Sequence, residues 1–297
     1  MCLISGGKFN RHGTCTERSR HGKDTELLRS SPVFHSVSVQ CYYIAMQKRK
    51  VLVVGNWKMN PATLSEAKAL FAKVKRAGAS LRNVETALCP PFVFLSALSG
   101  VGVKLGSQDV FWQNGGRFTG EVSPEMLKNI GVSYCIVGHS ERRALGETDE
   151  EVSKKASAAL REGLKAVVCI GERERDLNGV HFDFLKNQLK ESLAGVQRRF
   201  LLDLIIAYEP VWAIGKSARD SMNPRDIQET AIFIKKVLSD MYDAEAVANI
   251  PIIYGGSVEP ENIAEVLREG EVAGVLVGHK SLMAEDFIAI LKSANTI

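Results

Sequence analysis

The chain has 297 residues, with 38 Lys and Arg against 34 Asp and Glu, so its formal net charge is only +4. Apolar residues make up 45% of the sequence and charged residues 24%, a globular composition that excludes wholesale disorder, collagen-like repeats and coiled coil. No stretch has the roughly 18–20 uninterrupted apolar residues that a membrane-spanning helix requires, and so small a net charge does not indicate nucleic-acid binding.

The first 45 residues differ in character from the rest of the chain. They contain three of the six Cys and three of the six His, and they show no sustained helical period. A secretory signal would need an apolar core of about 7–15 residues after a basic start, which is absent here. Glu17, Asp24 and Glu26 argue against a transit peptide, since such peptides are poor in acidic residues. We interpret residues 1–45 as a disordered leader or an upstream mis-start ahead of Met46, with a targeting or lineage-specific extension as the alternative.

From Met46 to Ile297 the chain alternates between short apolar runs and amphipathic segments. The runs predict eight strands buried on both faces of a parallel sheet, and they lie at 51–55, 84–89, 103–106, 133–138, 165–170, 204–209, 250–254 and 273–278. Cys135 and Cys169 fall inside such runs, and no two Cys have CxxC spacing. The sequence therefore predicts neither a zinc site nor a disulfide framework.

The segments between the runs have the period of amphipathic helices. In 225–242, apolar residues recur at steps of four and three, which places them on one helix face. Thr63 and Glu66 form a capping-box pattern, and Pro124 and Pro224 occupy first-turn positions. Strands and helices are therefore expected to alternate along the chain.

Eight strand–helix units in about 250 residues indicate an α/β fold, a closed (β/α)₈ TIM barrel that occupies residues 46–297. A doubly wound open sheet is the alternative, but that fold usually has a GxGxxG turn after its first strand. Here the first run, VLVVG, is followed by Asn-Trp-Lys. In a barrel, chemistry takes place where the strands end, so the polar residues after each run are the candidates for function.

Two polar motifs follow the first and fourth runs. Asn56 and Lys58 are two residues apart, so an extended backbone directs both side chains the same way, and an ammonium group there suits an anionic substrate. A surface Lys and a turn Asn are the alternative. His139, between Gly138 and Ser140, would lie near helix N-terminal amides, which disfavour imidazolium and leave a neutral hydrogen-bond donor. A structural histidine is the alternative.

A carboxylate and two glycine-rich turns follow the later runs. Glu209 lies between LIIAY and PVWAIG, where a charge is hard to solvate, and this favours a general base. A Glu held in a buried ion pair is the alternative. The turns Tyr254–Ser257 and Gly278–Ser281 follow the last two runs, where many barrels bind a phosphate through backbone N–H groups.

Together these motifs resemble the triosephosphate isomerase family over about 46–297. The matching segments are Asn56–Asn60, Tyr134–Arg143, Ala207–Gly215 and Tyr254–Val258. The resemblance implies an intramolecular aldose–ketose isomerase that interconverts D-glyceraldehyde 3-phosphate and dihydroxyacetone phosphate through an enediolate, in glycolysis, gluconeogenesis and the pentose phosphate pathway. It also implies no metal, no other cofactor, a cytoplasmic location, and no nucleic-acid or membrane partner.

The resemblance assigns roles to individual residues. Glu209 would be the base that moves the proton, His139 the neutral electrophile and Lys58 a source of positive charge. The residues expected to bind substrate are Asn56, Lys58, Gly215, Ser257, Gly278 and His279. The lid loop would comprise Pro210, Val211, Trp212, Ala213, Ile214 and Gly215, and the supporting residues would be Glu141, Tyr254 and Leu276.

Two positions depart from the family pattern. A Thr-Gly-Lys-Thr-Ala segment usually follows the lid, whereas here Gly215 is followed by Lys216–Asp220, so the composition of the lid hinge is changed. His279 stands where the common pattern has a second glycine of the phosphate site. We expect His279 at negative φ with its backbone N–H facing the phosphate, because only glycine tolerates most positive φ values.

The loop Phe111–Glu121 is too long for a simple βα connection. By the resemblance it inserts into a neighbouring subunit near Asn56 and Lys58, with Thr119 reaching that pocket, so a homodimer is expected. Two other functions fit a barrel. One is a lyase or synthase with a Schiff-base Lys or paired acids on the central strands, which the sequence does not show, and the other is a non-enzymatic binding protein.

Overall fold

The computed structural model describes residues 50–100, 102–176, 178–216 and 221–297. The predictions for the leader, 1–45, and for most of the changed hinge, 217–220, lie outside these ranges. Residues Lys48–Ile297 form one compact unit. Within the described ranges, no helix is both long enough and apolar enough to cross a membrane.

Eight parallel strands close into a barrel in the order in which they occur along the chain, so the predicted architecture is confirmed. Each observed strand lies within two residues of a predicted run. The strands are β1 Val51–Asn56, β2 Val84–Cys89, β3 Lys104–Ser107, β4 Val132–Val137, β5 Lys165–Ile170, β6 Leu204–Tyr208, β7 Ile252–Tyr254 and β8 Gly274–Val277. Pairing of Val54 with Leu276 joins the first strand to the last and closes the barrel.

Helices connect the strands. Among the described residues they are α1 Leu64–Gly78, α2 Phe92–Leu95, α3 Pro124–Asn129, α4 Ser140–Ala144, α5 Asp149–Arg161, α6 Val180–Ser192, α7 Pro224–Met241, α8 Ala244–Val247, α9 Ile263–Glu269 and α10 Ala284–Ala294. Short 3₁₀ segments lie at Arg198–Asp203, Val211–Ala213 and His279–Leu282. The predicted capping box of Thr63 and Glu66 starts α1, and Pro124 and Pro224 lie in the first turns of α3 and α7.

Alternate residues of each strand face two different apolar layers. Val54 belongs to the cluster of residues inside the barrel, whereas its neighbour Val53 belongs to the larger cluster between strands and helices. Both side chains are fully buried, and each such burial stabilises the fold by about 1.5–3 kcal/mol. Because the barrel interior is filled with apolar side chains, polar groups that act on a ligand are left at the ends of the strands.

Candidate active site

A pocket of about 210 Å³ opens at the carboxyl ends of the strands. It is lined by most of the predicted site residues, which come from positions far apart in the sequence: Asn56, Lys58, His139, Glu209, Ile214, Gly215, Ser257, Leu276, Gly278 and His279. The backbones of Gly255 and Gly256 and the side chains of Lys216, Val258, Glu259 and Lys280 complete the wall. Cationic and carboxylate side chains therefore face a space of small-molecule size.

His139 follows β4 and caps the N-terminus of α4. Its Nδ1 accepts a hydrogen bond of 3.2 Å from the backbone N–H of Glu141, which leaves Nε2 as the donor nitrogen of the ring. Nε2 lies 3.2 Å from Oε1 of Glu209. The imidazole of His139 therefore lies in the pocket wall with Nε2 toward Glu209.

Glu209 follows β6 and is only 2% exposed. Besides the contact of Oε1 with His139, its Oε2 accepts a hydrogen bond of 3.2 Å from the backbone N–H of Ser140. The charge of Glu209 adds to burial in raising the pKa of the neighbouring Cys169 thiol. A Cβ added to Gly255 would lie 2.7 Å from Cγ of Glu209, so the turn after β7 needs a glycine there. Among the described residues, the partners of this carboxylate are polar groups and include no Lys or Arg.

Lys58 is held in an unusual backbone conformation beside the pocket. Its φ is +53°, in the left-handed region that non-glycine residues rarely adopt, and its backbone N–H donates 2.9 Å to Oδ1 of Asn56. Lys58 Nζ lies 2.6 Å from Oε1 of Glu141. The Glu141 carboxylate lies 3.9 Å from Nδ1 of His139. The backbone N–H of Glu141, at 3.2 Å from the same nitrogen, makes the closer contact with the imidazole.

The segment Pro210–Gly215 folds over one side of the pocket. Its 3₁₀ turn is fixed by Trp212, whose Nε1–H donates 2.8 Å to Glu172, and by Ala213, whose carbonyl accepts 2.9 Å from the Ser257 hydroxyl. Tyr254 is fully buried, with its hydroxyl beside Gly256, and burial raises the pKa of its phenol. Of the lid residues, Ile214 and Gly215 line the pocket itself.

The two glycine-rich turns also line the pocket, and the turn after β7 is bonded to the lid through Ser257. His279 begins the 3₁₀ segment that follows β8, and it is not among the described residues with positive φ, in accordance with the sequence prediction. Its side chain is exposed. A phosphate in this part of the pocket would meet main-chain groups of the two turns.

Several residues of the site have no counterpart in the sequence prediction. Glu172 is 1% exposed, and its Oε1 accepts hydrogen bonds from both Tyr208 and Trp212. Its position two residues after the end of β5, as His139 lies two residues after the end of β4, is a signal that could have revealed it. Ser140 acts through its backbone and Arg143 through contacts formed only in the folded chain, so no sequence pattern indicates either. Among the described residues, no group of three or more potential metal ligands is present.

Comparison with known proteins gives one family for nearly the whole described chain, both from a family model and from individual relatives. The family model described as triosephosphate isomerase matches residues 51–294. The triosephosphate isomerase of Thermoanaerobacter pseudethanolicus is 42% identical over 254 residues, which cover 82% of this chain and 99% of that protein. Those of Natranaerobius thermophilus and Dehalococcoides mccartyi are 41% and 42% identical, and the matches cover 82% and 84% of this chain and 96% and 98% of theirs.

Proposed function

The chain belongs to the triosephosphate isomerase family, and we propose that its pocket performs the family reaction with Glu209 as base and His139 as electrophile. The protein is an isomerase of glycolysis that interconverts D-glyceraldehyde 3-phosphate and dihydroxyacetone phosphate. The observation that supports the assignment of roles is the contact of 3.2 Å between the buried Glu209 carboxylate and Nε2 of His139.

The proton transfer follows from this geometry. Glu209 removes a proton from the carbon next to the carbonyl group and returns it to the former carbonyl carbon, while the Nε2–H of His139 donates to the oxygen on which negative charge develops. Because Nε2 of His139 lies 3.2 Å from Glu209, substrate binding exchanges a carboxylate oxygen for a substrate oxygen at this N–H. Lys58 adds a fixed positive charge, and Asn56, which accepts from the Lys58 backbone, orients that segment.

Substrate binding involves the glycine-rich turns of the pocket, and water exclusion involves its lid. The phosphate is held by the turns that contain Ser257, Gly278 and His279, through backbone N–H groups. The lid, which includes Gly215, closes over the enediolate with Ser257 as its anchor and Tyr254 as a supporting residue. Ile214 and Leu276 supply apolar walls beside Glu209, which keep water away from the base.

We further propose that two barrels form a homodimer through the loop Phe111–Glu121. In that loop Phe111 stacks on Trp112 with ring centroids 4.1 Å apart and also contacts Phe118, while Thr119 is exposed. Met59, beside the pocket residue Lys58, is 93% exposed, which is consistent with a surface that a second copy covers. Sedimentation at assay concentrations tests this, and a fully active monomer would contradict it.

We also propose that residues 46–297 form the catalytic domain and that residues 1–45 are a leader or an upstream mis-start. The protein would act in the cytoplasm, where the pentose phosphate pathway shares its substrate. No organic cofactor or metal enters the proton transfer above, because a carboxylate, an imidazole and an ammonium group supply it.

A Schiff-base lyase, the rival enzyme class, would need a free amine at the pocket. Lys58 is instead ion-paired with Glu141 at 2.6 Å, and Lys280 with Asp286 at 2.9 Å. The third lysine of the pocket, Lys216, lies over the ring of Trp212, with its Nζ 5.2 Å from the ring centroid. Lys104 and Lys165 stand at the starts of β3 and β5, at the other end of the barrel. The arrangement therefore favours proton transfer over imine formation.

A coupled assay tests the proposed function. D-glyceraldehyde 3-phosphate is supplied with glycerol-phosphate dehydrogenase, and NADH loss reports dihydroxyacetone phosphate. We expect turnover by the full chain and a rate about 10³-fold or more lower in Glu209→Gln. The matched control Glu174→Gln, at a residue outside the pocket, should keep the wild-type rate. Equal rates for the wild type and Glu209→Gln would refute the assignment of the base.

A further inference from the structure

Arg143 reaches across the ends of β4 and β5 to a point directly behind the imidazole of His139. Its Nε donates a hydrogen bond of 2.6 Å to the carbonyl of Gly138, and one terminal guanidinium nitrogen donates a hydrogen bond of 3.2 Å to the carbonyl of Cys169. The ladder between these strands ends one residue earlier, at the pair Val137 and Val168. The guanidinium therefore continues the cross-strand bonding one residue beyond the point where main-chain pairing stops.

The carbonyl of Gly138 belongs to the peptide group that contains the backbone nitrogen of His139. Gly138 has φ of +71°, and its own N–H donates 3.1 Å to Oε2 of Glu147. A Cβ at position 138 would lie 2.8 Å from a guanidinium nitrogen of Arg143, so glycine is required for the close approach. Both peptide groups that flank Gly138 are thus held by side chains, and the direction in which the chain enters His139 is fixed.

The other carbonyl that Arg143 holds leads to Glu209. Cys169 precedes Ile170, the last residue of β5, and the carbonyl of Ile170 accepts 2.7 Å from the backbone N–H of Glu209. A continuous series of bonds therefore runs from the backbone of His139 through Arg143 to the backbone of Glu209. Such a link sets how far Nε2 of His139 lies from the Glu209 carboxylate.

Arg143 is itself well anchored. Its side chain is 13% exposed, it forms an ion pair with Asp149 at the start of α5, and it donates 3.1 Å to Oγ of Ser192 at the end of α6. The Ser192 hydroxyl in turn donates 2.8 Å to Asp149. Because the planar guanidinium serves four partners in a fixed fork, the compact ammonium group of Lys cannot replace it.

We propose that Arg143 is a positioning residue for the proposed isomerisation, which holds the imidazole of His139 and the carboxylate of Glu209 at their working separation. It touches no substrate, and its effect passes through the main chain at Gly138 and Cys169. The inference rests on the proposed function, because the two groups that it aligns are the acid–base pair of that reaction. A displacement of about 1 Å in such a pair costs up to about 10²-fold in rate.

The test compares Arg143→Lys with the wild type and with Arg198→Lys, a control that changes an exposed ion pair with Asp243. In folded protein, well below its melting temperature, we expect kcat of Arg143→Lys to fall about 10- to 100-fold while KM changes less than threefold. Arg198→Lys should keep the wild-type kcat. A loss that merely follows the folded fraction, or a matching change in KM, would mean that Arg143 is only structural and would overturn the proposal.

A second variant, Arg143→Ala, tests whether guanidinium from solution can replace the missing side chain through the cavity beside Arg143. This cavity, about 750 Å³ and bordered also by Ser140, Glu147 and Asp149, allows small ions to enter. We expect non-denaturing guanidinium to restore the activity of Arg143→Ala at least tenfold, whereas equal concentrations of NaCl or urea should not. Absence of rescue in folded Arg143→Ala would contradict a role for the guanidinium fork.

The ¹⁵N resonance of His139 tests the positioning role of Arg143 without measuring turnover, and so independently of the proposed function. In ¹⁵N-labelled protein, the Nε2 resonance of His139 should shift in Arg143→Lys, while that of the buried His181, paired with Asp176 at 3.1 Å, should not. If the wild type lacks isomerase activity, the proposed function fails and the imidazole resonance alone decides the positioning role. An unchanged His139 resonance would overturn that role.

Discussion

At the scale of single residues, Glu209 meets two requirements that conflict in water. A base must be poorly solvated to be strong, yet an unpaired buried carboxylate is costly. Glu209 instead contacts the backbone N–H of Ser140 and Nε2 of His139, both at 3.2 Å, and the thiol of Cys169. None of these is a Lys or Arg, so the carboxylate can exchange one partner for substrate without breaking a strong ion pair.

Shortening Glu209 tests this geometry. Glu209→Asp removes one methylene and withdraws the carboxylate by about 1 Å, so we expect kcat to fall on the order of 10²-fold. KM should change little, because the glycine-rich turns that hold the phosphate are untouched. Steady-state kinetics with D-glyceraldehyde 3-phosphate measures both, and Glu174→Asp is the matched control. Parallel losses in kcat and in affinity would indicate that Glu209 is a structural carboxylate.

His279 provides a test of the phosphate grip. Its backbone adopts negative φ and its side chain is exposed, so His279→Gly should preserve the N–H groups that face the phosphate. We expect KM to change by no more than about threefold, within the usual effect of a surface substitution. A KM that differs tenfold or more from the wild-type value would mean that the imidazole itself contacts the ligand.

Most of the pocket-lining residues could be predicted from sequence, whereas Lys216, Val258, Glu259 and Lys280 in its wall, and the residues behind it, were not. Asn56, Lys58, His139 and Glu209 stand directly at or after strand ends, where barrel geometry gives their location. Arg143 lies on α4, and its partners Cys169 and Ser192 are 26 and 49 residues away. No local spacing encodes such a contact.

At the scale of elements, helix α5 shows how a cap couples stability to pH. The carboxylate of Glu151 accepts 2.9 Å from the backbone N–H of Thr148, and the Thr148 hydroxyl accepts 3.2 Å from the N–H of Glu151. The hydrogen bond from the Thr148 backbone holds the pKa of Glu151 below its ordinary value of 4.5. A carboxylate with a lowered folded pKa stabilises the fold above 4.5 and loses that contribution as pH falls through the folded value.

The variant Glu151→Gln keeps the capping pattern but removes the charge and the titration. At pH 7 we expect its free energy of unfolding to be about 0.3–1 kcal/mol below that of the wild type, the usual worth of a charge at a helix N-terminus. Urea unfolding at a series of pH values should show this difference shrinking below the ordinary carboxyl range and vanishing in stronger acid. A difference of constant size from neutral to acid pH would contradict the assigned cause.

The strands and helix α7 were predicted well, whereas the shortest helices were not. The period of 225–242 gives α7 to within one residue at each end, and the apolar runs give all eight strands, because each buries a full face. By contrast α2 and α8 have four residues each, too few to display a period. Their formation depends on the packing of neighbouring elements, which a local pattern does not contain.

At the scale of the whole molecule, the barrel is closed by contacts between its first and last elements. Besides the pairing of β1 with β8, Oδ1 of Asn295 accepts from the backbone N–H groups of Arg82 and Asn83 at 3.0 and 2.9 Å. All eight strands lie between Val51 and Val277, and the family model begins at residue 51. These closing contacts need no residue before 50.

Removal of residues 1–45 should therefore leave the barrel intact. We expect the truncated chain to keep the wild-type kcat, and its melting temperature to change by less than about 2 °C, below the shift that 1 kcal/mol produces in a domain of this size. Calorimetry and the coupled assay on both chains provide the comparison. A decrease of several degrees would show that the leader packs on the barrel and that the proposed boundary is wrong.

The most direct test of the central claim, proton transfer by Glu209 through an enediolate, is the fate of the transferred hydrogen. D-glyceraldehyde 3-phosphate is converted in D₂O, and the dihydroxyacetone phosphate formed is analysed by ¹H NMR. Because a proton on a carboxylate can exchange with solvent before it is returned, deuterium should appear at C1 of part of the product. Glu209→Gln should give neither conversion nor label. Conversion by the wild type with no deuterium at C1 would indicate a direct hydride shift and would contradict the account.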